Sequence, residues 1–256
     1  MEYDLPDVIR VKADGPVRLV TLARPDSLNA VNDELHAGVA RLFPQLSEDP
    51  EARVAVLTGE GRAFSAGGDF DLLDRMAKDR RLRRDTLAEG RAIVLNMVRC
   101  RVPIVAAVNG PAVGLGCSLV ALSDVVYMAE SAYLSDPHVT VGLVAADGGP
   151  LTWPLHTSLL LAKEYAFTGD RITAQRAAEI GLANHVCPDG EVLDAAVAAA
   201  HKITKLPQQA VEATKRVLNL HLERSVLATI DFAMTAESES FDTDDLRANV
   251  DRFLKR

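Results

Sequence analysis

Two glycine-rich stretches carry the strongest chemical signal in the sequence. The first is Gly59-Glu60-Gly61-Arg62-Ala63-Phe64-Ser65-Ala66-Gly67-Gly68-Asp69, and the second is Asn109-Gly110-Pro111-Ala112-Val113-Gly114-Leu115-Gly116-Cys117. Each follows a short apolar run that reads as a strand, Arg53–Thr58 and Pro103–Val108. The second leads into an apolar helix toward Leu122, and the first can open a helix at Asp69. Glycine lets a ligand approach the main chain and permits positive φ. A helix start offers unpaired N–H groups. Two such loops aimed at one point would make an oxyanion hole, each donor contributing about 3–4 kcal/mol to a transition state. Either loop taken singly reads equally well as a tight turn. Dinucleotide binding fits less well, because the second loop lacks the G-x-G-x-x-G order followed by an acid about 20 residues on.

The segment from Ser135 to Gly149 offers an acid–base pair. His138 and Asp147 stand nine residues apart on either side of Gly142. Asp147 precedes an apolar stretch that suits a helix starting near Gly148, where a carboxylate is favoured. A histidine paired with an aspartate can activate or hold a water. A helix N-cap role for Asp147 and a satisfied core or surface imidazole for His138 remain open. Asp136 is the weaker acid, because Asp-Pro favours a turn.

These residues need a scaffold that alternates strands with helices. Val8–Val11 and Val17–Ala23 read as strands around a turn at Asp14-Gly15-Pro16. Asn32 can cap a helix carrying Leu35, Val39, Leu42, Phe43 and Leu46 at helical spacing. Asp85–Cys100 suits a further helix and Val125–Met128 a further strand. From about residue 150 the pattern is helical: Leu159–Phe167, Ala174–Ile180, Glu191–Thr204, Gln208–Leu220, Ser225–Ser238 and Asp244–Leu254. The fold class is therefore α/β, with an open parallel sheet and a helical tail.

Composition narrows the partners. The 256 residues are 48% hydrophobic and carry a formal charge of −8, which disfavours wrapping nucleic acid. The three cysteines, Cys100, Cys117 and Cys187, form no C-x-x-C pair and read as free thiols in a reducing compartment. The histidines show no metal spacing, so no metal is expected. The acidic start, with Glu2, Asp4 and Asp7, lacks a signal-peptide pattern, and no long apolar run suggests a membrane span. A cytoplasmic location is expected.

Taken together, the motifs resemble the crotonase (enoyl-CoA hydratase/isomerase) superfamily. Arg24-Pro25-Asp26-Ser27-Leu28-Asn29-Ala30 is similar to its R-P-x-x-L-N-A segment, and Ala63–Asp69 to its A-F-x-A-G-x-D loop. Val108–Gly116 resembles its second loop. Thr168-Gly169-Asp170-Arg171-Ile172-Thr173-Ala174, with Ala178, Gly181, Leu182 and Val186, resembles its T-G segment. The resemblance implies a ββα spiral over residues 1–200. It implies a helical segment over 201–256 that covers the site and meets neighbouring subunits in a homotrimer or dimer of trimers. It implies an acyl-CoA substrate, with coenzyme A entering as part of it and no other cofactor. By position, the N–H groups of Gly68 and Leu115 would form the oxyanion hole, although the Leu115 slot is often glycine. The Ala66 carbonyl would face the adenine of CoA near Leu28, and Lys255 could reach a CoA in a neighbouring subunit.

Two departures govern the expected chemistry. The glutamates of a typical hydratase fall at Ser118 and His138, and a hydroxyl does not replace a carboxylate base. Asp147 with His138 is the substitute pair. Its spacing is similar to the His–Asp pair of the β-diketone hydrolase branch, and an aspartate near Asp147 serves the dienoyl-CoA isomerase branch. Ser118 is a small helix residue or a substrate contact, and Trp153 a core residue or an acyl-pocket wall. Arg75, Lys78, Arg80, Arg81, Arg83 and Arg84 read as a solvated face or a phosphate contact. Glu237, Glu239, Asp242, Asp244 and Asp245 read as a solvated acidic face or a helix cap. Three functions follow: hydration or isomerisation of an enoyl-CoA, retro-Claisen hydrolysis of a β-diketone or 3-oxoacyl-CoA, or CoA binding with little activity.

Overall fold

The β-branched runs pair into two sheets whose loop ends face one cavity. The computed structural model describes residues 1–255. The chain opens with the hairpin β1 (Ile9–Asp14) and β2 (Val17–Leu22), then α1 (Asp33–Glu48). The Asn32 side chain caps α1 by accepting the Leu35 N–H at 3.0 Å. Next come β3 (Val54–Gly59), α2 (Phe70–Lys78), α3 (Arg80–Arg99), β4 (Ile104–Val108), β5 (Ala112–Val113) and α4 (Leu115–Ala121). They are followed by β6 (Val125–Ala129), β7 (Tyr133–Ser135), α5 (His138–Val141), α6 (Gly149–His156), α7 (Leu159–Thr168), β8 (Ile172–Thr173), α8 (Ala174–Glu179) and β9 (His185–Cys187). Three helices close the chain: α9 (Val192–Thr204), α10 (Gln208–Ser240) and α11 (Asp244–Leu254).

The larger sheet has the order β1-β2-β3-β4-β6-β9, parallel except for the opening hairpin. The smaller sheet has the order β5-β7-β8. Successive passes of the chain add to both sheets. β4 continues into β5, β6 into β7, and β8 returns through α8 to β9. The first loop joins this pattern through a bridge between Ser65 and Ala112. β3 and β4 are buried along their whole length, as befits parallel strands covered on both faces. α9 packs on β3 and β4, and α3 packs on α1 and α10. This is the expected α/β class with C-terminal helices. No helix among the described residues is long and apolar enough to cross a membrane.

Several boundaries differ from the sequence reading. The two helices expected over Gln208–Leu220 and Ser225–Ser238 are one, α10, because no glycine or proline interrupts residues 208–240. α3 starts at Arg80 rather than Asp85, since Asp79 caps it by accepting the N–H groups of Arg81 and Leu82. The short strands β5, β7, β8 and β9 went unread because two or three residues carry too little periodicity. The three cysteines are free.

The C-terminal helices close over the site. α10 crosses α3 and α6, and α11 lies on α2 and α5. Leu72 and Met76 of α2, Leu143, Phe241, and Leu246 and Val250 of α11 form an apolar cluster of their own. Phe253 stacks on Phe70 with ring centroids 4.3 Å apart.

Candidate active site

The Arg24–Ala30 segment builds the first loop. Asn29 donates from its amide to the carbonyls of Glu60 and Ala63 at 2.9 Å each, and its own carbonyl accepts from Ser65 Oγ at 2.8 Å. The Leu28 carbonyl accepts the Ala66 N–H at 2.9 Å. Asn109 ties the second loop to the first by donating to the Gly61 carbonyl at 2.9 Å. Asp69 then caps α2, accepting the Asp71 N–H, which bears out the helix start expected there.

The two loops touch at Gly67 and Gly114. Both have positive φ, +85° and +51°. A Cβ on Gly67 would lie 2.8 Å from the Val113 carbonyl oxygen, and one on Gly114 would lie 3.6 Å from Gly67 Cα and 3.9 Å from the Gly68 nitrogen. The torsion favours glycine at both positions, and at Gly67 the contact leaves no room for a side chain. Gly68 and Leu115 follow directly, and both line a single cavity of about 250 Å³. Leu115 is the first residue of α4, so its N–H has no intrahelical acceptor. The Gly68 N–H likewise donates to no backbone carbonyl among the described residues.

Asp147 and His138 line the same cavity, with His138 Nε2 4.0 Å from Asp147 Oδ1. Asp147 is not the N-cap of α6. Gly148 holds that position, and Asp147 instead accepts the Ser118 hydroxyl at 2.7 Å. On its other side, His138 Nδ1 is hydrogen-bonded to Asp136, a buried carboxylate. Burial opposes the imidazolium, but the negative charges of Asp136 and Asp147, the Asp136 hydrogen bond and Glu237 outweigh it. The imidazole is pushed up to about 10. His138 is therefore a cation at neutral pH, clamped between two aspartates.

A third carboxyl joins them. Glu237 of α10 lines the cavity, is only 9% exposed, and has no hydrogen-bond or ion-pair partner among the described residues. Burial pushes it up to about 8, against the pull of His138 and with the help of Asp147 and Asp136. This corrects the reading of Glu237 as part of a solvated acidic face. The signal was available, because Val226, Ile230, Ala233, Met234 and Glu237 share the buried face of α10.

Other expected residues lie elsewhere. Ser118 is fully buried and sits behind Asp147, off the cavity wall. A Cβ on Gly148 would fall inside the Ser118 side chain, so the Gly148 backbone packs directly on this slot. Trp153 is 1% exposed in the core and does not line the cavity. Ala66 does line it; Leu28 does not. Lys255 is exposed at the end of α11, 3.8 Å from Asp251. The basic cluster is spent locally. Arg83 is buried against Asp242 and the Ser238 carbonyl, Lys78 pairs with Asp74, Arg75 with Asp33, and Arg84 with Asp85.

Comparison with known proteins agrees with this architecture. A family model described as enoyl-CoA hydratase/isomerase matches residues 12–256. The chain is 31% identical over 242 residues to a probable mitochondrial enoyl-CoA hydratase of Dictyostelium discoideum, covering 94% of this chain and 86% of the relative. It is 32% identical over 242 residues to the human mitochondrial Delta(3,5)-Delta(2,4)-dienoyl-CoA isomerase, covering 90% and 74%. A crystal structure of an enoyl-CoA hydratase/isomerase from Mycobacterium paratuberculosis superposes with a TM-score of 0.96 at 67% identity, covering 98% of this chain and all of the other.

Proposed function

Because the chain belongs to the enoyl-CoA hydratase/isomerase family, we propose that it is an acyl-CoA-processing enzyme that stabilises a thioester enolate and moves protons with Asp147 and Glu237. The observation that carries this reading is the contact of the two glycine loops at the cavity that also holds these carboxyls. The simplest reaction is addition of water to a 2-enoyl-CoA.

In that reaction the thioester oxygen accepts from the Gly68 and Leu115 N–H groups, which oppose the charge that develops there. The Ala66 carbonyl accepts the adenine amine, and Lys255 offers its charge to CoA phosphate. A water adds its oxygen at the β-carbon and gives a proton to the Asp147 carboxylate. The enolate takes a proton at the α-carbon from Glu237, whose raised pKa keeps it a neutral donor at pH 7. Proton exchange with solvent then resets the pair. His138 attracts and orients Asp147, while the Ser118 hydroxyl donates to the same oxygen, Oδ1. The same two carboxyls would also shift a double bond, one removing and one returning a proton.

A second reading is retro-Claisen hydrolysis of a β-diketone or 3-oxoacyl-CoA, favoured by the Asp136–His138–Asp147 arrangement. Assays of the wild type and of Asp147→Asn on crotonyl-CoA and on cyclic β-diketones separate the two. We expect crotonyl-CoA hydration, falling at least about 100-fold in the variant. Unchanged turnover in Asp147→Asn would remove Asp147 from the mechanism. Ring-opened acid from a diketone, with no hydration, would transfer the assignment to the second reading.

A further inference from the structure

The cavity has a polar pole that the proposed chemistry does not use. Its walls are apolar at Leu72, Leu73, Met76 and Met234. Past Met234, α1 presents His36, which is 8% exposed and lines the cavity. His36 Nδ1 is 2.9 Å from Glu89 Oε2, which fixes the ring. Its Nε2 has no partner among the described residues and points toward Gly90, lying 3.8 Å from where a Cβ there would sit. The missing side chain at Gly90 therefore leaves space beside the imidazole. Thr86, one turn earlier on the same face of α3, is also buried and lines the cavity, and its hydroxyl has no partner among the described residues.

His36 and Thr86 thus place two polar groups at one end of an otherwise apolar cavity, open to a ligand. Such sparse groups are what orient a small-molecule ligand in an otherwise greasy pocket. We infer that His36 Nε2 and Thr86 Oγ1 form a subsite for an oxygen on the acyl chain, a hydroxyl or a carbonyl remote from the thioester. A hydroxyl can donate to a bare Nε2 and accept from Thr86, and a carbonyl can accept from Thr86. A plain hydrocarbon tail satisfies neither. The inference rests on the acyl-CoA reading, and it narrows that reading to oxygenated acyl groups.

Calorimetry with saturated medium-chain acyl-CoAs tests it, using matched sets that are plain, hydroxylated or oxo-substituted toward the chain end. Saturated ligands bind without turning over, so the result does not depend on which reaction is catalysed. The wild type should bind an oxygenated member about tenfold more tightly than its plain counterpart. The hydroxyl and oxo arms show which oxygen is preferred. In His36→Leu, and separately in Thr86→Val, that ratio should fall toward one or invert. Using the ratio within each variant cancels any loss of folded protein. Equal or tighter binding of every plain chain by the wild type would overturn the subsite while leaving the acyl-CoA reading intact. Failure to bind any acyl-CoA would overturn both.

Discussion

At the residue scale, the missing glutamates are not simply lost. One slot is Ser118, turned into a support for Asp147, and the other is His138, turned into a cation between two aspartates. In the proposed mechanism the second proton carrier is Glu237, which comes from another element, α10. Its raised pKa gives a direction for experiment. Activity that requires the protonated carboxyl should decline as pH rises through about 8, and Glu237→Gln should remove that limb while lowering the rate. Stability should respond with a matching sign. Between the ordinary glutamate range and about pH 8 the folded state keeps a proton that the unfolded chain has released. The wild type should therefore lose stability as pH rises through that window. Denaturant melts across pH, compared with Glu237→Gln, check this. A variant with the wild-type slope would show that Glu237 is not the titrating group.

At the scale of elements, the packing of α4 against the start of α6 decides which side chains the site can hold. Gly148 lies on Ser118, so Ser118→Glu should not restore a two-glutamate hydratase. We expect that variant to lose about 1–3 kcal/mol by overpacking and to gain no hydration rate; denaturation together with a crotonyl-CoA assay checks both. Sequence alone pointed to the loops, the Asn32 cap and the Asp69 helix start, because glycines and capping side chains act locally. It pointed to His138 and Asp147 by their spacing around Gly142. Asp136 was undervalued because Asp-Pro marks a turn without revealing which side chain the turn faces. Glu237 escapes the sequence reading because it sits beside Glu239, Asp242, Asp244 and Asp245, and an acidic run reads as a solvated face even though Val226, Ile230 and Met234 share its side of the helix. The Ser118–Gly148 contact joins residues 30 apart in sequence, and no periodicity encodes it.

At the scale of the whole molecule, one chain supplies every residue assigned to proton transfer, and its own α10 and α11 close the cavity through Met234, Glu237 and Phe253. The proposed proton transfers therefore call on no residue of a neighbouring subunit. Leu160 and Phe167 lie two turns apart on one face of α7 and are 80% and 71% exposed, with Leu155 of α6 also exposed. Apolar surface of this kind marks an association face. Light scattering on the eluting protein should give a trimer or hexamer, and Phe167→Glu should shift it toward monomer. A monomeric wild type would remove the expected assembly without touching the site.

The central claim is that two main-chain amides hold one thioester oxygen. A crystal structure with a bound, unreactive acyl-CoA measures this directly. The account predicts the thioester oxygen about 2.7–3.1 Å from both the Gly68 and Leu115 nitrogens, with Asp147 and Glu237 facing the α- and β-carbons. A thioester seated away from either amide, or a CoA bound outside this cavity, would contradict it.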